Sequence, residues 1–160
     1  MFGKTNQALL TSVCLMTALS ISPAQAAPAD PVQVKLTANE VVKNSKGVEQ
    51  LRNIGSLNGK EVVRYSATYT NTSDGAISDM AVTLPIPANM SFNGAASPSS
   101  ALASIDGVNY LPMPLTQVID GKTVKVPYSQ YKSLRWQIKL LPARKSATVT
   151  ADTQLDLTKS

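Results

Sequence analysis

Arg135 and Trp136 stand side by side, and their types suit recognition chemistry: a planar cation beside an indole can hold carbohydrate or peptide. Lys139 shares the strand parity of Arg135, and Lys132, Arg144 and Lys145 lie nearby. These cations are a candidate surface for anionic partners, such as lipid head groups or acidic surface glycan. Lys132 has the opposite parity, which splits the patch. A plainer reading competes with this one. Trp136 has the parity of Leu134, Ile138 and Leu140, so a strand here buries the indole between two sheets. Arg135 then points outward as a solvated or paired charge. Arg135 and Lys139 are the candidate ligand-binding residues.

Catalytic and metal chemistry is more restricted. The chain has no histidine, so it builds no Ser-His-Asp triad, no Cys-His pair and no histidine-ligated zinc or haem. Asp74, Asp79, Asp106, Asp120 and Asp152 offer carboxylates for calcium, but their spacing matches no calcium loop. Three of them precede glycine, which explains them as turn residues. A hydrolase without histidine, using Ser-Lys or paired carboxylates, is the weakest alternative. No Ser-x-x-Lys element stands on an expected strand-to-helix turn. No enzyme activity, metal or cofactor is therefore expected. Asn71-Thr72-Ser73 and Asn89-Met90-Ser91 fit the glycosylation acceptor pattern, which three residues often match by chance.

The N-terminus reads as an address. Lys4 precedes an uncharged, mostly apolar stretch over residues 8–21, and Ala24-Gln25-Ala26 has the form of a cleavage site. The expectation is a signal peptide over 1–26, a loose leader over 27–31 and a folded domain over 32–160. Lipidation at Cys14 is disfavoured, because Val13 stands where that signal wants a small residue. Cutting after Ala26 removes the chain's one cysteine and Lys4, leaving fourteen basic against ten acidic residues. An exported chain without cysteine is no disulfide framework. It has no further transmembrane segment, and its place is the periplasm or cell surface of a bacterium. Nucleic acid is not expected as a partner of an exported chain in which no basic run exceeds two residues and no stacking platform accompanies one.

Short strands must position these side chains. Val32, Val34 and Leu36 alternate with Gln33 and Lys35, the period of a half-buried strand. The same period recurs at Val63, Tyr65, Ala67 and Tyr69, and at Met80, Val82, Leu84 and Ile86. It returns at Leu134–Leu140 parity positions and at Val149, Ala151, Thr153, Leu155 and Leu157. Asp106-Gly107, flanked by apolar runs, predicts a two-residue hairpin with both turn residues at positive φ, and Asp120-Gly121 marks another turn. Ten prolines and the lack of a sustained helical period argue against long helices. The expected fold is an all-β, antiparallel, immunoglobulin-like sandwich of about seven or more strands.

Four runs carry a resemblance: Val63-Arg64-Tyr65-Ser66-Ala67-Thr68-Tyr69-Thr70-Asn71-Thr72, Val82-Thr83-Leu84-Pro85-Ile86-Pro87-Ala88-Asn89-Met90-Ser91-Phe92, Ala103-Ser104-Ile105-Asp106-Gly107, and Tyr131-Lys132-Ser133-Leu134-Arg135-Trp136. In this order they resemble the bacterial conserved repeat domain family, a domain of unknown function numbered eleven. Asn58-Gly59, Val108 and Leu141-Pro142-Ala143 depart from its usual loop residues. The resemblance implies an exported or surface β-sandwich and supplies no enzymatic activity. The expected function is thus a non-catalytic cell-envelope module, structural or protein-binding, with envelope or surface proteins as partners and the oligomeric state left open. Its candidate partner edge is Val32, Val34 and Leu36, in a first strand over 32–42 whose unpaired backbone groups invite strand addition. A binding module for surface glycan or lipid head groups, using Arg135 and Lys139, is the alternative.

Overall fold

A computed structural model describes residues 30–158 of the chain. The expected signal peptide, Cys14 and most of the 27–31 leader lie outside the described residues. Alternating apolar and polar positions resolve into eleven strands: β1 (Val32–Lys43), β2 (Glu49–Arg52), β3 (Val62–Asn71), β4 (Ile77–Pro85), β5 (Met90–Ser97), β6 (Leu102–Ser104), β7 (Leu111–Pro112), β8 (Thr116–Ile119), β9 (Lys122–Lys125), β10 (Ser133–Leu141) and β11 (Ser146–Leu155). No α-helix occurs among the described residues, and one 3-10 turn covers Tyr128–Gln130. The strands pair antiparallel in a five-stranded sheet ordered β2-β1-β3-β11-β5, a four-stranded sheet ordered β4-β10-β6-β7, and a separate β8-β9 ribbon. The β3–β4 and β10–β11 connections each pass from one sheet to the other. The fold is all-β and antiparallel, with two sheets sharing one core.

That core arises from the period of two. Val63, Ala67 and Tyr69 of β3, with Val149 and Ala151 of β11, meet Val82, Leu84, Leu134 and Trp136 of β4 and β10. Trp136 is 2% exposed, and its indole N–H donates to the Pro98 carbonyl at 2.7 Å, so the one polar atom of the ring is satisfied inside. Phe92, Tyr128 and Tyr131 close one end of the core through edge contacts at 5.4 and 5.3 Å and a stacked contact at 5.9 Å. The Tyr131 hydroxyl accepts the Leu115 N–H at 2.7 Å, and burial pushes its pKa up.

Gly94 lets this cluster form. Its φ is +98°, and a Cβ there would sit 2.6 Å from Tyr128 Cε2. Gly94→Ala should therefore cost about 2 kcal/mol, combining left-handed backbone strain with displacement of the Tyr128 ring. Urea denaturation checks it, and in a Tyr128→Ala background the same substitution should cost about half as much. An equal loss in both backgrounds would leave backbone strain as the whole effect.

Four expectations need correction. Asp106-Gly107 is not a two-residue hairpin: β6 and β7 pair Leu102 with Pro112 and Ala103 with Leu111, and only Gly107 is at positive φ. The Asp106 carboxylate instead accepts N–H groups from Asn109 and Val108 at 2.8 Å, the Asn109 amide at 2.7 Å and the Ser104 hydroxyl at 2.8 Å. These bonds, led by the Asn109 N–H, hold it well below the usual carboxylate range. The two-residue hairpin lies at Asp120-Gly121, with φ of 50° and 75° and Ile119 facing Lys122. Both sites share the Asp-Gly pair, but only Asp106 has Ser104 and Asn109 beside it to draw its side chain into a wider loop.

The second correction is at the end of β10, where Leu140 is 58% exposed and Leu141 is buried. Asp79 on the paired strand takes φ +52°, and alternation shifts by one residue past that point, so Ile77 and Leu141 turn inward. The third is Leu157, which is exposed because β11 ends at Leu155. The fourth is that Val34 and Leu36 are exposed rather than half-buried, although the strand itself forms where alternation places it.

Candidate functional site: the open edge of the first strand

β1 pairs with β3 without a break from Val32 opposite Asn71 to Val41 opposite Val62. On its other side β2 covers only Glu40, Val41, Val42 and Lys43. Residues 33–39 therefore form a free edge among the described residues. Its polarity can be read from one bond: the Thr72 N–H donates to the Pro31 carbonyl at 2.8 Å. In an antiparallel ladder, hydrogen-bonded pairs alternate, so odd-numbered residues of β1 turn their backbone groups toward β3. Val34, Leu36 and Ala38 then point both N–H and C=O outward. The Val32 N–H also points out, but it donates to the Asp30 carboxylate at 3.0 Å.

The side chains of the same residues lie on the core face, because directly opposed residues share a face. Val34 faces Tyr69, Leu36 faces Ala67 and Ala38 faces Tyr65. The partner sheet does not reach them. It ends at β4, where the Tyr69 hydroxyl donates to the Thr83 carbonyl at 3.3 Å, on the side away from β10. Val34 is consequently 55% and Leu36 64% exposed. Between Leu36 and Tyr65 on one sheet and Leu84, Pro85 and Pro87 on the other runs a groove of about 160 Å³. A solvated apolar stripe thus adjoins a row of unpaired backbone groups.

The edge is bounded at its far end by charge. Glu40 is 6% exposed, and Arg52 grips its carboxylate with two bonds of 2.7 and 3.0 Å. That hydrogen bond, first, and the attraction that accompanies it raise the Arg52 pKa. On the outer face Arg64 donates twice to Asp152, at 2.6 and 2.7 Å, and once to Glu49 of β2 at 3.1 Å. β2 is held in place where the open stretch stops.

The other candidates are dispersed. Arg135 lies on the outer face of β10 with its guanidinium 3.6 Å from the Tyr110 ring centre and bonded to the Thr83 hydroxyl at 3.2 Å. Tyr110 in turn bonds the Ser133 hydroxyl at 2.8 Å. Arg135 is therefore already stacked, while Lys139 is exposed on the same face about 13 Å farther along at strand spacing. Asp74 pairs with Arg144 at 2.8 Å, Asp106 and Asp120 shape loops, Asp79 marks the β4 shift and Asp152 serves Arg64. Asn71 is fully buried, its amide spent on the carbonyls of Gly75, Leu141 and Pro142, so it is closed to glycosylation.

A cavity of about 570 Å³ lies between Ile86, Pro87, Ile105, Tyr131, Ser129 and Lys132. Sequence reasoning missed it. Ser129-Gln130-Tyr131-Lys132 does have Ser-x-x-Lys spacing, but the 3-10 turn ends at Gln130 and Tyr131 is extended at φ −71°, ψ 129°. Lys132 leaves the turn instead of rising over Ser129, and no hydrogen bond joins their side chains. No family profile, no curated protein and no solved structure matches the chain.

Proposed function

We propose that the chain is a non-catalytic, exported cell-envelope module of immunoglobulin-like layout that binds by adding a strand, supplied by another chain, to the edge of β1. The observation that carries this is the coincidence of the outward backbone groups of Val34, Leu36 and Ala38 with the exposed Val34 and Leu36 side chains. Native edges are normally blunted by bulges, prolines or several charges. This one holds a single charged residue, Lys35, and an unbroken register. The signal-like N-terminus and the resemblance to exported repeat modules support the envelope setting. The stacking of Arg135 on Tyr110 favours this reading over a glycan or head-group site at Arg135 and Lys139.

Hydrogen exchange tests it. In dilute solution the amides of Val34, Leu36 and Ala38 should exchange at least about 100-fold faster than those of Gln33, Lys35 and Thr37, which donate to β3. Val34→Pro removes an outward donor and an exposed side chain of the stripe while breaking no hydrogen bond to β3. It should leave Tm nearly unchanged and abolish protection of this edge by envelope fractions. A monodisperse monomer whose 32–38 amides are all as protected as the core overturns the proposal.

A further inference from the structure

We infer that the strand completing this edge is β1 of a second copy, paired antiparallel about Leu36 so that two five-stranded sheets become one. This deepens the proposed function and rests on it. The open stretch is symmetric about that residue. One end is closed at Val32, whose N–H is taken by Asp30, and the other at Glu40, where β2 begins. Leu36 is equidistant from both.

Every axis through a residue of the open stretch keeps the apolar side chains on one face while joining outward groups to outward groups, because opposed residues must share parity. Axes at Thr37 or beyond set Val34 or Leu36 against Glu40 or later residues, whose outward groups β2 already takes. An axis at Lys35 sets two ammonium groups opposite each other at the closer, non-hydrogen-bonded spacing of about 4.5 Å. An axis at Val34 opposes Ala38 to Asp30, beyond the start of the strand, and Leu36 to Val32, whose donor is occupied. An axis at Leu36 uses the outward groups of Val34, Leu36 and Ala38 in full: Leu36 pairs with its copy and Val34 pairs with Ala38 on both sides. Lys35 then faces Thr37. The two lysines lie only diagonally, about 7–8 Å apart on the solvent face, where salt screens them.

The same axis covers the stripe that the partner sheet leaves bare. Leu36 packs on Leu36, and Val34 on Ala38, continuing the core layer across the seam. So short a seam buries less than a standard interface, which sets the affinity on the order of 10–100 μM.

Sedimentation velocity of the full chain from about 1 μM to 1 mM should show a monomer passing to a dimer, with the Val34, Leu36 and Ala38 amides becoming protected over the same range. Leu36→Lys opposes two charges at the axis and should weaken association at least about 50-fold. Leu36 is exposed in the single chain, so Tm should hold. For register, Lys35→Cys and Thr37→Cys are made separately in chains with Cys14→Ser. Mixed, they should form a disulfide-linked pair at least about tenfold faster than either alone, since those positions oppose each other only across this axis.

A dimer indifferent to Leu36→Lys, or lacking the mixed disulfide, overturns the inference. A monomer at every concentration also overturns it. If that monomer gains protection at Val34, Leu36 and Ala38 only with envelope fractions, strand addition stands and the partner is a different chain. If those amides are protected in the monomer alone, both readings fail.

Discussion

Asn71→Ala should lower the unfolding free energy by about 2–3 kcal/mol, the cost of removing a fully buried amide and stranding the buried Leu141 carbonyl it serves. Asn71 is 0% exposed at the end of β3. Its amide donates to Gly75 at 2.7 Å, Leu141 at 3.1 Å and Pro142 at 3.2 Å, and its carbonyl accepts the N–H and hydroxyl of Ser73. One side chain therefore ties the β3–β4 turn to the β10–β11 turn, two of the places where the chain changes sheets. Removing the amide takes its donor from the buried Leu141 carbonyl, where water does not simply take its place, whereas Gly75 and Pro142 are exposed and the Gly75 carbonyl keeps the Ser73 hydroxyl.

Asn71→Asp separates donor loss from lost packing. The substitution keeps the shape but turns an oxygen toward three carbonyl oxygens, so the introduced carboxyl is stable there only when it carries a proton. Its pKa in the folded state is raised above the unfolded value of about 3.9. Stability is then retained below about pH 4 and falls as pH rises toward that raised pKa, the reverse of an ordinary paired carboxylate. Urea denaturation at pH 3.5 and pH 7.5 reads the difference. A variant equally stable at both, or an Asn71→Ala loss below about 1 kcal/mol, would show that the turns hold without this link.

The same residue shows what the sequence conceals. Asn71-Thr72-Ser73-Asp74-Gly75 is legible as a turn from its residue types, but the partners at Leu141 and Pro142 lie about seventy positions away. Where a side chain's role is local and periodic, reading succeeds: the inward faces of β3, β4 and β10 follow from alternation at Val63–Tyr69, Val82–Leu84 and Leu134–Trp136 parity positions. Alternation also gives the face of Val34 and Leu36. It does not reveal whether an opposing sheet extends far enough to cover that face, which depends on where β4 lies. The two Asp-Gly pairs fail for a similar reason, since neighbours one to three residues away decide between a tight turn and a wider loop. The strand that carries the candidate site was legible, while the alternation of its outward groups, including those of Ala38, required the register with β3.

The Arg64–Asp152 clasp carries the other large effect, and it determines how long the open edge can be. Asp152 faces Arg64 across the β3–β11 ladder, at the point where the β11–β5 register shifts between Ala151 and Thr153. Its side chain is 9% exposed against 25% for Arg64, and Ala95, Ala96 and Ser97 of β5 line a cleft with both residues. The bidentate bond raises the Arg64 pKa above its ordinary value, so the cation never titrates in the working range. Arg64→Leu should cost about 3 kcal/mol, chiefly because it leaves a covered carboxylate without its counter-charge. Arg64→Leu combined with Asp152→Leu should recover most of that loss, since two apolar side chains opposed on a sheet face pack well. A double variant no more stable than Arg64→Leu alone would locate the loss in packing rather than in the stranded charge. The single substitution also removes the bond to Glu49, which links β2 to β3 across β1. β2 is exposed along its whole length, so without that link it is held by its own ladder and the Arg52–Glu40 pair. The Val42 amide, which faces β2, should then exchange faster while the Val41 amide, which faces β3, does not. Loss of β2 would extend the free edge beyond Glu40 and destroy its symmetry about Leu36, so the clasp that stabilises the sheet also fixes the register available to a partner strand.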